Sequence, residues 1–177
     1  MFVTDDLVHE HEVIKRMLAI MEKACRKVKA GSTVQMTFFE GAVSFLRQFA
    51  DKCHHGKEEE VLFPALEKTG ISVEGGPIGQ MLNEHEEGRA YISKIKEGVE
   101  NGDIDTIVEA AEKYIDLLRL HIVKENDVLF LLANQRLKQS EADRIESEFE
   151  RIEIEVVGPG MHDKLLGDLD RLEKLVG

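Results

Sequence analysis

A ten-residue segment occurs twice in the 177-residue chain. It reads HHGKEEEVLF from His54 to Phe63 and HIVKENDVLF from His121 to Phe130. Aligned without a gap, both copies follow the pattern H-x-x-K-E-x-x-V-L-F. Each copy places a glutamate four residues after a histidine, so on a helix both side chains lie on one face. Two such helices facing each other would bring two imidazoles and two carboxylates to one point, which is the geometry of a metal site.

Apolar residues recur at steps of three and four along four segments, which predicts four amphipathic helices. In the first and third of these stripes a single histidine replaces an apolar residue. In the second, the stripe selects the pair at 54 and 58, because the face of His55 also carries polar residues at 48, 51 and 52. The fourth stripe is the most regular. The polar residues on these apolar faces are His11, His54, Glu58, His85, His121 and Glu125.

The chain therefore reads as two copies of a helical hairpin. Each copy contributes one histidine from its first helix and a His-x-x-x-Glu pair from its second. The expected fold is all-α, an up-down four-helix bundle over residues 1–138 with additional C-terminal helices over 139–177. We expect this extension to pack on the bundle, and self-association into a homo-oligomer through it is the alternative. Gly56 and Pro64 should loosen the second helix near the site.

Composition excludes several classes of partner. The formal net charge of −12 argues against binding to nucleic acid or to an anionic membrane, since both require clustered Lys and Arg. No segment has the length and apolar character of a membrane span, and the acidic N-terminus does not resemble a secretory signal. Two cysteines, Cys25 and Cys53, form no CxxC motif, so a disulfide framework is not indicated. These features predict a cytoplasmic protein.

Six ionisable groups on the inner faces of one bundle would be very costly without a compensating cation. Four imidazoles and two carboxylates without thiolate suit first-row metals, namely iron, manganese or, less well, zinc. Six ligands are too many for one tetrahedral zinc ion, and they fit two metals that share bridging carboxylates. Di-iron carboxylate bundles of the ferritin type use mostly glutamates with Glu-x-x-His pairs, so that class fits poorly. The alternative is a set of buried histidines that pair with glutamates without a metal.

The arrangement resembles the hemerythrin family, and more closely its hemerythrin-like branch of cation-binding domains. The motifs that carry the resemblance are Glu10-His11, HHGKEEEVLFP from His54, EHEEG from Glu84 and the segment from His121 to Phe130, within residues 5 to 135 or so. The resemblance implies a non-haem centre of two iron ions, with or without an oxo bridge. It also implies that Glu58 and Glu125 bridge the irons and that the four histidines are terminal ligands.

Two positions depart from the oxygen-carrying hemerythrins. These carry a further histidine where this chain has Arg89, and an aspartate where this chain has Asn126. Reversible oxygen carriage in their manner is therefore not implied. The related iron–sulfur-cluster repair proteins share the pattern of four histidines and two glutamates, but they usually carry an extra cysteine-containing domain before it.

Several nearby residues are interpreted as structural. His9 and His55 are expected to face away from the site, and Lys57 and Lys124 to extend their amines to the surface. Tyr114 and Cys53 are expected in the core. His162 is in phase with the leucines of the last helix, so it is either a fifth histidine ligand or, more simply, a capping or solvent-facing residue.

The sequence leaves three functions open. The first is binding or sensing of a small diatomic ligand, oxygen or nitric oxide, at the di-iron centre. The second is an enzyme that acts on peroxide or nitric oxide at the same centre, and the third is iron storage or delivery. No acid, base or nucleophile outside the ligand set is indicated, which would leave any catalysis to the metal.

Overall fold

The computed structural model describes residues 2–177, and six helices account for most of that part of the chain. Helix α1 spans Asp5–Lys29, α2 spans 36–68, α3 spans Pro77–Asn101, α4 spans 104–136, α5 spans 139–157 and α6 spans Met161–Val176. No strand occurs within residues 2–177. The expected all-α bundle with additional C-terminal helices is confirmed.

Helices α2 and α4 change their hydrogen-bonding pattern where the duplicated segment lies. Helix α2 begins as an α-helix (Met36–Phe45), is π-helical over Leu46–His55 and again over Glu58–Leu62, and ends as an α-helix (Phe63–Lys68). Helix α4 is α-helical over Ile104–Lys124, π-helical over Glu125–Leu129 and α-helical over Phe130–Arg136. π-helical turns inside α-helices are frequently found at functional sites. Gly56 and Pro64 explain a weakened α-helix in α2, but α4 has neither residue at the corresponding positions.

The bundle contains two apolar clusters with a polar layer between them. One cluster includes Ile14, Phe38, Ile107 and Leu169, and the other includes Leu7, Phe63, Ile78, Phe130 and Phe149. On each of α1 to α4, the predicted histidine lies between a residue of one cluster and a residue of the other. The fold therefore places the four histidines at one level of the bundle, out of contact with bulk water.

Short connections set the antiparallel order of the bundle. Between α3 and α4, Gly102 adopts a left-handed conformation (φ 65°) and Asp103 caps α4 by accepting a hydrogen bond from the backbone N–H of Thr106 at 3.1 Å. The C-terminal helices lie against the bundle, α6 on α1 and α2, and α5 on α2. Gly41 of α2 allows the close approach of Leu172, because a Cβ there would lie 2.6 Å from Leu172 Cδ2.

None of the helices in residues 2–177 combines the length and the apolar character that are needed to cross a lipid bilayer.

Candidate metal centre

The structure brings all six predicted site residues together in the polar layer. Helix α1 contributes His11, α2 contributes His54 and Glu58, α3 contributes His85, and α4 contributes His121 and Glu125. Each of the six is at most 1% exposed. Burial of this many titratable side chains at one point indicates that something other than packing stabilises them.

The two glutamates each span two histidines on opposite sides of the centre. Glu58 places Oε1 3.4 Å from His54 Nε2 and Oε2 3.4 Å from His85 Nε2. Glu125 places Oε2 3.1 Å from His11 Nε2 and Oε1 3.2 Å from His121 Nε2. The geometry therefore divides the centre into two positions, one between His11 and His54 and one between His85 and His121, with a carboxylate oxygen from each glutamate at both.

Several of the converging atoms lack a hydrogen-bond partner within residues 2–177. They are His54 Nε2, His55 Nε2, Glu58 Oε1, Glu58 Oε2 and Glu125 Oε1. A buried, unpaired polar atom costs about 1–3 kcal/mol, and more when it is charged. His85 Nε2 and His121 Nε2 are 3.1 Å apart, close to the roughly 3 Å that separates two nitrogens bound at right angles to one metal at about 2.1 Å. The donor set and its unpaired atoms thus fit metal ions.

The other ring nitrogen of each histidine is held by an acceptor from a neighbouring helix. The Nδ1–H groups of His54, His121, His85 and His11 donate to Glu10 (2.8 Å), Glu84 (2.9 Å), Glu59 (2.7 Å) and Asn126 (2.8 Å), respectively. Such bonds fix the ring orientation and leave the Nε2 lone pair for a metal. The Glu-His dipeptides at 10–11 and 84–85 therefore have two roles, since the histidine points into the centre and the glutamate orients a histidine of the opposite helix.

The prediction that Lys57 reaches solvent is wrong. Lys57 is 1% exposed, and its Nζ lies 2.5 Å from both Glu10 Oε1 and Glu153 Oε1, with the ring of Phe149 at 5.7 Å. Burial opposes ionisation of Glu10, but His54 and Lys57 outweigh it and lower the pKa of this carboxyl to about 2. Helix α5, which supplies Glu153 and Phe149, covers the lysine. The periodicity of apolar residues in α2 does not predict that α5 packs over Lys57.

Lys124 repeats the contact in the second copy of the motif, but in a more open setting. Its amine pairs with Glu84, the carboxylate that orients His121, and its side chain is 35% exposed. The repeated spacing H-x-x-K thus serves one purpose in both copies, because the lysine binds the glutamate that orients the histidine. This contact of the lysine was not predicted from the sequence, although the recurrence of the lysine in both copies was an available signal.

The expectation that His55 faces away from the site is also wrong. His55 is 4% exposed, and its ring stacks on that of His85 with centroids 3.7 Å apart and planes 17° apart. The reason lies in the backbone. In the π-helical segment Leu46–His55, successive side chains are separated by a smaller angle than in an α-helix, so two adjacent histidines face the interior together. The α-helical period of 3.6 residues had predicted only His54 in the interior.

The other residues near the motifs lie mostly where the sequence suggested. His9 is exposed, and Tyr114 and Cys53 are buried. Burial, with Glu10 nearby, raises the pKa of the Cys53 thiol to about 12, so the thiol is protonated at neutral pH in the metal-free protein. His162 packs its ring 5.5 Å from that of Phe49 and lies outside the groups of converging ligand atoms found in residues 2–177.

The protonation of the metal-free centre is strongly shifted. Burial raises the pKa of Glu58 well above its ordinary value, and the adjacent carboxylate of Glu125 adds to this. For Glu125 itself, burial is outweighed by His121 and His11, which lower its pKa. Burial acts to lower the pKa of His121, but Glu125 and Glu84 outweigh it and raise this pKa to about 9. Burial, and then His11, lower the pKa of His54 to about 4.

A cavity of about 230 Å³ reaches the centre from one side. Its lining includes His55 and His85 as well as Asp51, Arg89 and Tyr114. Arg89 donates to Asp51 Oδ1 at 2.8 Å and to Glu59 Oε1 at 2.7 Å, so it bridges the walls of the cavity instead of entering the centre. The volume suits a molecule of a few atoms.

Comparison with known proteins agrees with this geometry. The family model of the hemerythrin HHE cation-binding domain matches residues 3–133 of the sequence. Uncharacterized proteins of Mycobacterium tuberculosis and Mycobacterium bovis are each 22% identical over 179 residues, covering 98% of this chain and 69% of their own. The iron-sulfur cluster repair protein DnrN of Neisseria gonorrhoeae is 34% identical over 85 residues, covering 44% of this chain and 54% of its own. No solved structure matches the chain.

The matched residues include α1, α2, α3 and the part of α4 that carries its ligands. The buried histidines and glutamates form two groups able to hold a metal ion at this level of the bundle. The chain is a metal-binding protein, and it belongs to the hemerythrin HHE cation-binding family.

Proposed function

We propose that the protein is a non-haem di-iron protein that binds a small diatomic ligand, oxygen or nitric oxide, at this centre. His11 and His54 would hold one iron, His85 and His121 the other, and Glu58 and Glu125 would bridge them. The observation that carries the proposal is the convergence of buried donor atoms that have no hydrogen-bond partner in the described residues. Imidazole and carboxylate donors suit iron, which supplies redox-active open positions for such ligands.

The surrounding residues support a ligand-binding role. The acceptors on the Nδ1 atoms keep the imidazoles in place whether or not a ligand is bound. The two apolar clusters exclude bulk water from the ends of the centre. The cavity beside His85 offers an entry route for a molecule the size of oxygen or nitric oxide. Outside the ligand set, Asp51, His55 and Tyr114 line this cavity and are able to exchange a proton with a bound molecule.

The test is anaerobic reconstitution with ferrous iron, followed by a metal count per chain and near-ultraviolet and visible spectra during addition of oxygen, nitric oxide or peroxide. We expect about two irons per chain and a spectrum that changes reversibly with oxygen or nitric oxide. Uptake of one zinc and no iron would contradict the di-iron assignment. Continuous turnover of peroxide, with gas evolution and no stable adduct, would instead favour the enzymatic alternative.

A second candidate, iron delivery, is favoured by the similarity to the iron-sulfur cluster repair protein DnrN. Since that similarity covers 44% of this chain and 54% of the relative, repair activity is carried over only as a hypothesis. Incubation of the iron-loaded protein with an iron-sulfur protein that has lost its cluster iron, with sulfide present, tests it. Restoration of the cluster spectrum at the expense of bound iron supports delivery, whereas full retention of iron by this protein excludes it.

A further inference from the structure

Among the buried positions of the duplicated segment, the clearest difference in polarity between the two copies is at His55. The residue that answers it in the second copy is Ile122, which is buried and apolar. The fold therefore accommodates an apolar side chain at this place in one copy. In the other copy it buries an imidazole whose Nε2 has no hydrogen-bond partner among the described residues. An arrangement of this kind indicates that the nitrogen has another use.

The ring of His55 is oriented toward the second metal position. Its Nδ1 lies 3.4 Å from Asp51 Oδ1, the same oxygen that accepts a hydrogen bond from Arg89. With Nδ1–H donating to Asp51, the lone pair of Nε2 is free and faces inward. Ligand atoms of His55, Glu58, His85 and His121 all lie within 4.8 Å of one another.

His55 also has a carboxylate acceptor on its Nδ1, although this acceptor, Asp51, lies on the same helix and at the longer distance of 3.4 Å. Arg89 anchors Asp51 and Glu59 together, and these two carboxylates hold the Nδ1 atoms of His55 and His85. Both rings are thereby fixed in one stacked arrangement, and His121 meets the ring of His55 nearly edge-on, at 74° and 5.8 Å. A shared support of this kind orients metal-binding imidazoles.

We propose that His55 is a third imidazole ligand of the metal held by His85 and His121. The inference rests on the proposed di-metal function and extends it. The two metal positions then differ, since one has three histidines and the other has two, with Glu58 and Glu125 common to both.

The test compares His55→Ile, which introduces the residue of the second copy, with His9→Ala as a matched control at an exposed histidine. Full-length proteins are reconstituted anaerobically with ferrous iron, and iron is titrated and counted. We expect His55→Ile to bind one of its two irons at least about tenfold more weakly than the wild type. His9→Ala should be unchanged. His55→Asp, which restores a side chain able to bind a metal, should recover part of the lost iron affinity.

The metal-free proteins provide the second readout. Removal of an unpaired buried nitrogen should leave the melting temperature of metal-free His55→Ile equal to or above that of the wild type. A clearly lower melting temperature would assign His55 a structural role and overturn the proposal. If His55→Ile binds two irons with wild-type affinity, the proposal is also overturned. This holds even if the variant changes the affinity for oxygen or nitric oxide. Failure of the wild type to take up two metals would refute the proposed function itself, and His55 would then have no metal to bind.

Discussion

The two copies of the duplicated segment hold the same ligands in different surroundings. In the first copy, Lys57 is enclosed by α5 and pairs with two carboxylates, and His55 and Glu59 add a buried imidazole and a charged acceptor. In the second, Lys124 is partly exposed, and Ile122 and Asn126 stand at those positions. A symmetric sequence pattern thus produces two unequal environments for the candidate ligands, because the differences lie in the residues between them.

The largest expected effect concerns what the copies share. Glu58→Ala and Glu125→Ala each remove a carboxylate that reaches both metal positions. We expect either variant to fall from two irons to about one or none, because metal affinity depends on the full ligand set. Metal analysis after gel filtration measures this. Tight retention of two irons by Glu125→Ala would show that this glutamate is not a bridging ligand.

The two lysines should differ strongly when each is replaced by methionine. Lys57→Met leaves Glu10 buried without its cation, which should reduce the free energy of unfolding by about 3–5 kcal/mol. Lys124→Met removes a partly exposed ion pair and should cost about 0–1 kcal/mol. Urea unfolding of the metal-free proteins provides the measurement, with each variant serving as the control for the other. Equal costs would mean that enclosure by α5 does not distinguish the copies.

Acid should release metal from the position of His85 and His121 before the other. Since the pKa of His121 is raised to about 9 in the metal-free protein, metal must displace a proton there at neutral pH. Affinity at this position should fall about tenfold per pH unit below pH 9. His54, with its pKa lowered to about 4, is already neutral and adds no such dependence at the first position. Metal titrations at several pH values resolve the two sites, and identical pH dependence would contradict the assignment.

The smallest effect is expected from narrowing the cavity, which adjoins only the position of His85 and His121. A Cβ at Gly88 would lie 3.4 Å from Tyr114 Cε2 and 3.5 Å from Leu118 Cδ2, so Gly88→Ala fits while narrowing the cavity. We expect association of oxygen or nitric oxide to slow by less than about tenfold, without loss of stability, because Ala is the better helix former. Gly167→Ala, at a glycine with open space around it, is the control. Stopped-flow measurement of ligand binding gives the rate, and an unchanged rate would exclude this route of entry.

The sequence was sufficient for the fold and for the six residues that converge, because both follow from apolar periodicity and from the repeated motif. The sequence did not predict the inward orientation of His55. A period of 3.6 residues assumes an α-helix, and it does not detect the π-helical segment that directs this side chain to the interior. The burial of Lys57 was missed for another reason. It depends on contact with Glu153 of α5, 96 residues away in the chain, and no local pattern in α2 indicates such a contact.

Glu153, at the surface of α5, connects the C-terminal segment to the candidate centre through its ion pair with Lys57. Glu10 and Lys57 alone form a neutral pair behind His54, and Glu153 makes the group net negative. Negative charge behind a metal-binding imidazole stabilises the oxidised metal and lowers its reduction potential. A helix that contributes no ligand would therefore help to set the reduction potential of an iron bound at the position of His11 and His54.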